Sequence, residues 1–442
     1  MNIQLSDHFN YKKLLRFTVP SIVMMIFTSI YGVVDGFFVS NIVGKTPFAA
    51  VNFIVPVLML LSAVGFMFGT GGSAIIAKTM GEDDNEKANS IFSLLVYISA
   101  ILGVIIAVLS IIFLPEIASF LGATGQLLDD AVLYGRIILI ALPFFVLQLE
   151  FQSFFVTAQK PQLGLYVTIA SGVSNMIFDV LFMAVFKWGI VGAALATAGS
   201  QMLGGIIPIV YFSRPNTSLL KITRIEYDGR ALLKTCTNGS SELMSNISMS
   251  AVSMLYNIQL LKYAGENGIA AYGVLMYVNF VFLAAFIGYT VGVAPVVSYH
   301  FGAKNHDELK GLLKKSTSII LIFSLGMLVL SLVLAYPLSY AFVGYDKELM
   351  NMTLKGFFMF SFSFLFAGFA IFGSGFFTAL NDGLTSAVIS FLRTLVFQVA
   401  AVMLLPVIWG IDGIWISIVA AEIMAVVITV IFLVLKKKKY NY

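Results

Sequence analysis

The sequence predicts an all-α integral membrane protein with twelve transmembrane helices in two pseudo-symmetric six-helix bundles. Composition is the first observation behind this prediction. The chain has 442 residues, of which 59% are hydrophobic and only 11% are charged, whereas soluble proteins carry about 25% charged residues. Its uncharged runs exceed the roughly 20 apolar residues that cross a bilayer as a helix. Helices are required because backbone groups in lipid must pair within their own segment.

An internal repeat is the second observation. The second half of the chain matches the first at an offset of 221 residues, at which Trp188-Gly189-Ile190 falls on Trp409-Gly410-Ile411. Gly81 falls on Gly302, and each is predicted to cap the end of a helix. A fixed-period repeat indicates duplicated architecture. In membrane proteins, such a repeat is typical of transporters whose substrate site lies between the repeats.

The apolar runs define the individual helices and the division into lobes. We expect helices at 14–40, 52–77, 89–114, 132–158, 163–186, 190–212, 236–261, 270–299, 315–343, 354–379, 384–408 and 412–435. The polar stretch 213–235 separates an N-terminal lobe, 1–212, from a C-terminal lobe, 236–442, and is predicted to be a cytoplasmic linker. Six helices in each half start both halves on the same side, so the repeats are parallel.

The distribution of positive charge predicts the orientation. With the N-terminus inside, 20 of the 26 Lys and Arg residues fall on inner segments, as the positive-inside rule requires. Both termini are therefore expected in the cytoplasm, with the protein in the cytoplasmic (inner) membrane of a prokaryote. No cleavable signal peptide is apparent, so the first helix should remain in the mature protein. The single cysteine, Cys236, leaves no intrachain disulfide.

Ionisable groups within spans are costly and are the first candidates for function. Asn175 and Asp179 lie four residues apart, on one face of a helix. If that face meets the first helix, Asp35 and Asp179 converge, and they must then hold a proton or share a cation. Oxygen ligands suit a hard cation, so both acids are candidate Na⁺ ligands. The alternative is that the two acids only line a wet cavity or cap a broken helix.

Other polar residues within spans have two interpretations. Glu150, with Gln148 and Gln152, forms a patch that either contacts substrate or serves as a structural hydrogen-bond hub. Arg393 and Glu422 could neutralise each other as an ion pair in the second half.

Aromatic and methionine side chains suggest a cavity for flat apolar cations, through stacking and cation–π attraction. The alternative is that they are ordinary packing or lipid-facing residues. The candidates are Tyr31, Met254, Tyr256, Tyr277 and Phe280.

The order and spacing of these motifs resemble the multidrug and toxic compound extrusion (MATE) family. The resemblance covers nearly the whole chain and includes the segments 154–161 and 175–179 and the two Trp-Gly-Ile turns. It implies export of amphipathic, often cationic compounds, driven by inward flow of Na⁺ or H⁺ without ATP. In agreement, the sequence has no phosphate-binding loop.

The resemblance also implies site residues. The DinF-like, MepA-like branch has acids in its first and fifth helices, an Asn one turn before the second acid and a Thr in the sixth helix. These correspond here to Asp35, Asp179, Asn175 and Thr197. A proline linked to bending of the first helix corresponds to Pro20. The alternative is that Pro20 is only a kink or an early-turn proline. The other branch places its coupling acids in helices seven and ten. Here helix ten has no acid and helix seven has only one, near its cytoplasmic end, which favours coupling in the first half.

The sequence therefore predicts a monomeric, cation-coupled antiporter that works by alternating access and is not an enzyme. Its expected partners are small amphipathic substrates and membrane lipids, without nucleic acid and without any cofactor besides the coupling Na⁺ or H⁺. One alternative is a flippase for lipid-linked precursors of the same superfamily, which would need a cationic cavity. A membrane-embedded enzyme is a weaker alternative, because the three histidines lie near the cytoplasmic ends.

Overall fold

The computed structural model describes residues 3–442, apart from the side chains at positions 33, 37, 40, 41, 45, 46 and 266, and this part of the chain forms helices without any strand. Short π-helical segments at Val39–Val43, Val180–Val185 and Leu392–Val396 each directly follow an α-helix. The helices are α1 (Tyr11–Phe38), α2 (Lys45–Gly81), α3 (Asn85–Phe120), α4 (Gly125–Thr157), α5 (Pro161–Asp179), α6 (Gly189–Ser213), α7 (Gly229–Gly302), α8 (His306–Val343), α9 (Lys347–Ser361), α10 (Phe364–Ala379), α11 (Gly383–Phe391), α12 (Phe397–Trp409) and α13 (Ile411–Tyr440).

Most of the predicted membrane spans correspond to long apolar helices in the structure. In the described part of the chain, ten helices are long and apolar enough to cross a membrane, and eleven if α9 and α10, which meet at 49°, form one span. The remaining predicted span, 236–261, is the first part of α7. It is helical, but six serines, three asparagines and one glutamate make it more polar than its neighbours. The start of this polar part packs closely against α2 and against the start of α11.

The sequence repeat reappears in the backbone. Gly44 and Gly265, which correspond at the 221-residue offset, both have a positive φ, 115° and 63°. Gly189 and Gly410 correspond in the same way, and both have a φ of 59°. Glycine adopts this region without the steric cost that a Cβ imposes. The two halves therefore turn at corresponding glycines. Gly265 has non-helical backbone angles and divides α7 into two consecutive helices.

Both termini lie at one end of the bundle, which we call the terminal end. The ring of Phe9, just before α1, lies 6.5 Å from that of His300 near the end of α7. The ring of Tyr440, at the end of α13, lies 5.7 Å from that of Phe301. The opposite end, at which the Trp-Gly turns lie, is called the far end.

The two halves meet closely at the terminal end. A Cβ added to Gly81 would lie 2.0 Å from the Tyr299 carbonyl oxygen, and one added to Gly302 would lie 2.0 Å from the Lys78 carbonyl oxygen. A Cβ added to Gly239 would lie 1.9 Å from a carbonyl oxygen of α2. These contacts between α2 and α7 form what we call the glycine seam. Glycine is required here because the two backbones touch.

Glycines nearer the far end are in a different environment. No described atom lies within 4 Å of a Cβ added to Gly32 in α1, or to Gly265 and Gly273 in α7. Close backbone contact between the halves is therefore found at the terminal end, and these three glycines make no such contact with the described residues.

Candidate cation site

The candidate site is built where α1 and α5 pack against each other. Asp35 lies in the last turn of α1, and Asp179 is the last residue of α5. Each helix then continues as a π-helical segment, and these two segments are in contact. π-Helical turns inside α-helices frequently occur at functional sites. The change of helical register places both acids at the point where the backbone departs from regular α-helix.

The structure brings together the four residues that the resemblance implied. The Asp35 carboxylate approaches the side chains of Asp179, Asn175 and Thr197. Asp179 is 0% exposed and Asn175 is 1% exposed, while Asp35 is half-buried. The expected convergence of the first and fifth helices is therefore present, with two carboxylates, one amide and one hydroxyl in a confined space.

The polar atoms of this group converge without pairing. Both Asp179 carboxylate oxygens, both polar side-chain atoms of Asn175 and the Thr197 hydroxyl have no hydrogen-bond partner among the described residues. A buried polar group left unpaired costs roughly 1–3 kcal/mol, and a charged group costs more. Two buried carboxylates that face each other cannot both be charged without a counterion. The donor set, which is rich in oxygen, fits either a bound monovalent cation or a shared proton.

Two tyrosines complete the wall of the site. Tyr134 on α4 is 2% exposed, and its hydroxyl approaches Thr197 close to both carboxylates. Tyr134 was not predicted as a site residue, because no spacing in the sequence relates the start of α4 to α1 or α5. Tyr31, predicted as a cavity residue, lies one turn before Asp35, and its ring is 6.0 Å from that of Phe27. It is close enough to Asp35 for the two groups to interact.

The second half has a neutral counterpart of this site. At the 221-residue offset, Asp35 corresponds to Tyr256. The Tyr256 hydroxyl donates a hydrogen bond to Gln398 at 2.8 Å and lies 2.8 Å from the Ser417 hydroxyl. Its ring stacks on Tyr272 at 5.1 Å. This predicted cavity residue is therefore buried and fully paired. The duplicated fold holds acids in one half and a neutral hydrogen-bonded group in the other.

Glu150 lies inside the first half, away from any exposed surface. It is 0% exposed and accepts a short hydrogen bond from the Ser99 hydroxyl on α3. The neighbouring Gln148, also buried, donates to the Ser171 hydroxyl of α5 at 3.2 Å. Gln152 is likewise buried. These contacts tie α4 to α3 and α5, but one side-chain oxygen of each of the three residues has no hydrogen-bond partner among the described residues. The hydrogen-bond hub and direct substrate contact therefore both stay predictions.

The second half contains the predicted ion pair. The Arg393 Nε and Nη2 atoms donate three hydrogen bonds of 2.8–3.1 Å to the Glu422 carboxylate. Both charges are thereby compensated within the helix bundle. Arg393 lies within the π-helical segment Leu392–Val396. In the first half, Asp35 and Asp179 similarly lie just before π-helical segments.

The remaining predicted residues lie in varied places. Met254 is 67% exposed, and Tyr277 and Phe280 are about half exposed. The Tyr277 ring stacks on Phe342 at 6.2 Å. Pro20 lies inside α1, where it removes one backbone hydrogen bond and favours a bend.

Comparisons with known proteins agree with this architecture. The MatE family profile matches residues 20–181 and 243–404, one match in each half. Multidrug export protein MepA of Staphylococcus haemolyticus is 28% identical over 366 residues, which cover 81% of this chain and 80% of that protein. MepA of Staphylococcus saprophyticus is 25% identical over 437 residues, which cover 97% and 94%.

Solved structures show the same fold. The outward-facing conformation of a multidrug resistance MATE family transporter of the MOP superfamily superimposes with a TM-score of 0.93, at 22% identity, over 100% of this chain and 98% of that one. A crystal structure of MATE in complex with MaL6 gives a TM-score of 0.92 at 22% identity, covering 98% of both chains. The family match in both halves, the duplicated helical fold and its membrane-spanning helices together show that the chain is a transporter of the MatE family.

Proposed function

We propose that this protein is an antiporter that exports small amphipathic, often cationic compounds in exchange for inward movement of Na⁺ or H⁺. The observation that carries the proposal is the convergence of Asp35, Asn175, Asp179 and Thr197, each with at least one polar side-chain atom that has no hydrogen-bond partner among the described residues. Such a group changes its charge when a cation binds or leaves, and the second half has the neutral, hydrogen-bonded Tyr256 at the position that corresponds to Asp35. The names of the MepA relatives support multidrug compounds as the exported class.

Orientation and access follow from the terminal end. This end carries the four consecutive lysines 436–439 and most of the other positive charge, so we place it in the cytoplasm. The glycine seam then closes the cytoplasmic side, and we expect the substrate path between the halves to open outward. Opening the seam would expose the same space to the cytoplasm, which is alternating access between parallel repeats.

Coupling requires that the ion bind with unequal affinity to the two arrangements of the protein, with the glycine seam closed and with it open. In the proposed cycle, a cation from outside occupies the Asp35–Asp179 group and favours rearrangement of α1 and α5. This rearrangement releases the exported compound outward. Binding of the next compound from the cytoplasm then restores the ion-free arrangement, and the ion leaves inward.

A flippase for lipid-linked precursors fits the structure less well. It would need free positive charge in the central space to hold a pyrophosphate group. Arg393 is the only arginine or lysine within the middle of the predicted spans of the second half, and Glu422 compensates it fully.

The test uses reconstituted vesicles loaded with a fluorescent cationic dye, under a Na⁺ gradient and a pH gradient applied separately. Asp35→Asn and Asp179→Asn should abolish gradient-driven efflux, because a neutral amide removes the charge that responds to the ion. Asp129→Asn is the matched control, since Asp129 is an exposed acid of the same half. Efflux at the wild-type rate in both site variants would remove the carboxylate pair from the mechanism.

A further inference from the structure

A cluster of lysines lies at the terminal end, where α2, α7 and α13 come together. Its members are Lys78 on α2, Lys234 near the start of α7, and Lys436 and Lys439 at the end of α13, and we call it the lysine patch. Lys78 and Lys439 lie close enough to Lys234 for their charges to interact with it. The Lys436 ammonium lies 3.4 Å from Asp382, in the turn between α10 and α11.

Positive charge in this patch exceeds the negative charge that faces it. The Lys78 ammonium pairs with Glu82 at 3.1 Å, and Asp382 also accepts a hydrogen bond from the Tyr440 hydroxyl at 2.8 Å. Burial lowers the pKa of Lys234; Asp382 opposes this shift, while Lys78 and Lys439 lower the pKa further. Two carboxylates thus face four ammonium groups, and the exposed Lys437 and Lys438 add to the excess.

The patch borders an exposed apolar surface. On α13, Val434 and Leu435 are 68% and 69% exposed and lie four residues before Lys438 and Lys439, on the same faces of the helix. On α7, Leu233 immediately precedes Lys234 and is equally exposed. Apolar side chains followed at once by lysines match the boundary between acyl chains and headgroups, where basic clusters attract anionic lipid. A free anion would contact the lysines but would not contact these apolar side chains.

We propose that the lysine patch binds the phosphate headgroup of an anionic phospholipid, with its acyl chains against the exposed apolar side chains of α7 and α13. The patch joins the two halves, since Lys78 belongs to the first half, Lys436 and Lys439 belong to the second, and Lys234 lies near the start of α7. A phosphate held between them relieves the mutual repulsion of the lysines and holds the glycine seam closed.

The experiment measures lipid binding to the purified full-length protein by native mass spectrometry and by thermal unfolding. The probes are phosphatidylglycerol, phosphatidylcholine and inorganic phosphate. The test variant is Lys234→Gln/Lys436→Gln/Lys439→Gln. The matched control, Lys87→Gln/Lys310→Gln/Lys314→Gln, removes the same charge from exposed lysines on α3 and α8.

We expect phosphatidylglycerol, but neither of the other probes, to bind and raise the unfolding temperature of the wild-type and control proteins. In the test variant, binding should weaken roughly 100-fold, because each lysine near an anionic headgroup contributes roughly fivefold. The arginine variant, Lys234→Arg/Lys436→Arg/Lys439→Arg, should retain binding. The stabilisation should also fall at about 1 M salt, where exposed charges are screened.

Three results would overturn the proposal. They are equal phosphatidylglycerol binding in the test and control variants, equal stabilisation by phosphatidylcholine, and full stabilisation by inorganic phosphate alone. If the glutamine variant does not fold, loss of binding in the folded arginine variant or a lack of salt dependence in the wild-type protein counts against it equally. None of these measurements depends on transport.

Discussion

Replacing Gly302 with alanine should open the glycine seam. Alanine suits the helix at this position, because its intrinsic helix propensity exceeds that of glycine by about 1 kcal/mol. The added Cβ would nevertheless lie 2.0 Å from the Lys78 carbonyl oxygen. An ordinary contact is about 3.5 Å, so α2 and α7 must separate by roughly 1.5 Å. Because a backbone atom is in the way, no side chain can rotate to relieve the contact.

The magnitude follows from the cost of overpacking. Forcing extra atoms into a close-packed contact costs about 1–3 kcal/mol. The cost applies only to the arrangement in which the seam is closed. The equilibrium should therefore shift toward the open arrangement by roughly 5–150-fold.

The assay uses the single cysteine of the chain. Cys236 is half-buried and lies on α7 beside Thr235, whose carbonyl oxygen would be 2.1 Å from a Cβ added to Gly71 in the seam. We expect maleimide to label Cys236 at least about fivefold faster in Gly302→Ala than in wild-type protein, in proportion to the open fraction. Gly326→Ala is the control, since no described atom lies near an added Cβ there. Equal labelling rates in the two variants would refute the role of the seam.

Three further outcomes follow from the structure. Arg393→Gln should destabilise the protein by about 3–5 kcal/mol, because it leaves the Glu422 carboxylate buried and unpaired; adding Glu422→Gln should restore much of the loss in a thermal unfolding assay. Asp179→Asn should raise the unfolding temperature in Na⁺-free buffer, because it leaves one carboxylate where two face each other without a counterion, whereas Asp129→Asn should leave it unchanged. Tyr134→Phe should shift the Na⁺ or H⁺ concentration needed for half-maximal dye efflux without altering folding, and an unchanged ion dependence would exclude the Tyr134 hydroxyl from the site.

Much of the fold could be predicted because its signals are local. Apolar runs mark most helices, and the 221-residue repeat marks where the halves turn alike. The break between α9 and α10, inside the predicted helix 354–379, has no such signal, because residues 361–364 contain neither glycine nor proline. The polar first part of α7 shows that a helix packed among others need not be as apolar as one that faces lipid.

Gly81 and Gly302 show a limit of local interpretation. The sequence predicted that each caps a helix end, and each is indeed the last residue of its helix. The positive φ values, however, lie two residues later, at Asp83 and Lys304. The glycines are needed instead for contact with a backbone more than 200 residues away, which no local pattern reports.

The candidate site was predictable only in part. The four-residue spacing of Asn175 and Asp179 places them on one face, and the resemblance to the MATE family supplied Asp35 and Thr197. That Asp35 lies beside this face is a matter of tertiary packing, which the spacing alone left open. Tyr134 comes from α4, which shares no periodicity with α1 or α5, so its place in the wall of the site emerges only from the packed structure.

The most direct test of the account is whether the exported compound and the ion move together. Vesicles containing the protein would be given an outward gradient of cationic dye alone, while uptake of radioactive sodium and internal pH are followed with dye efflux. We expect dye efflux to drive Na⁺ or H⁺ uptake in the wild-type protein and in Asp129→Asn, and neither ion to move in Asp35→Asn or Asp179→Asn. Dye efflux without ion uptake in the wild-type protein, or undiminished ion uptake in both site variants, would contradict it.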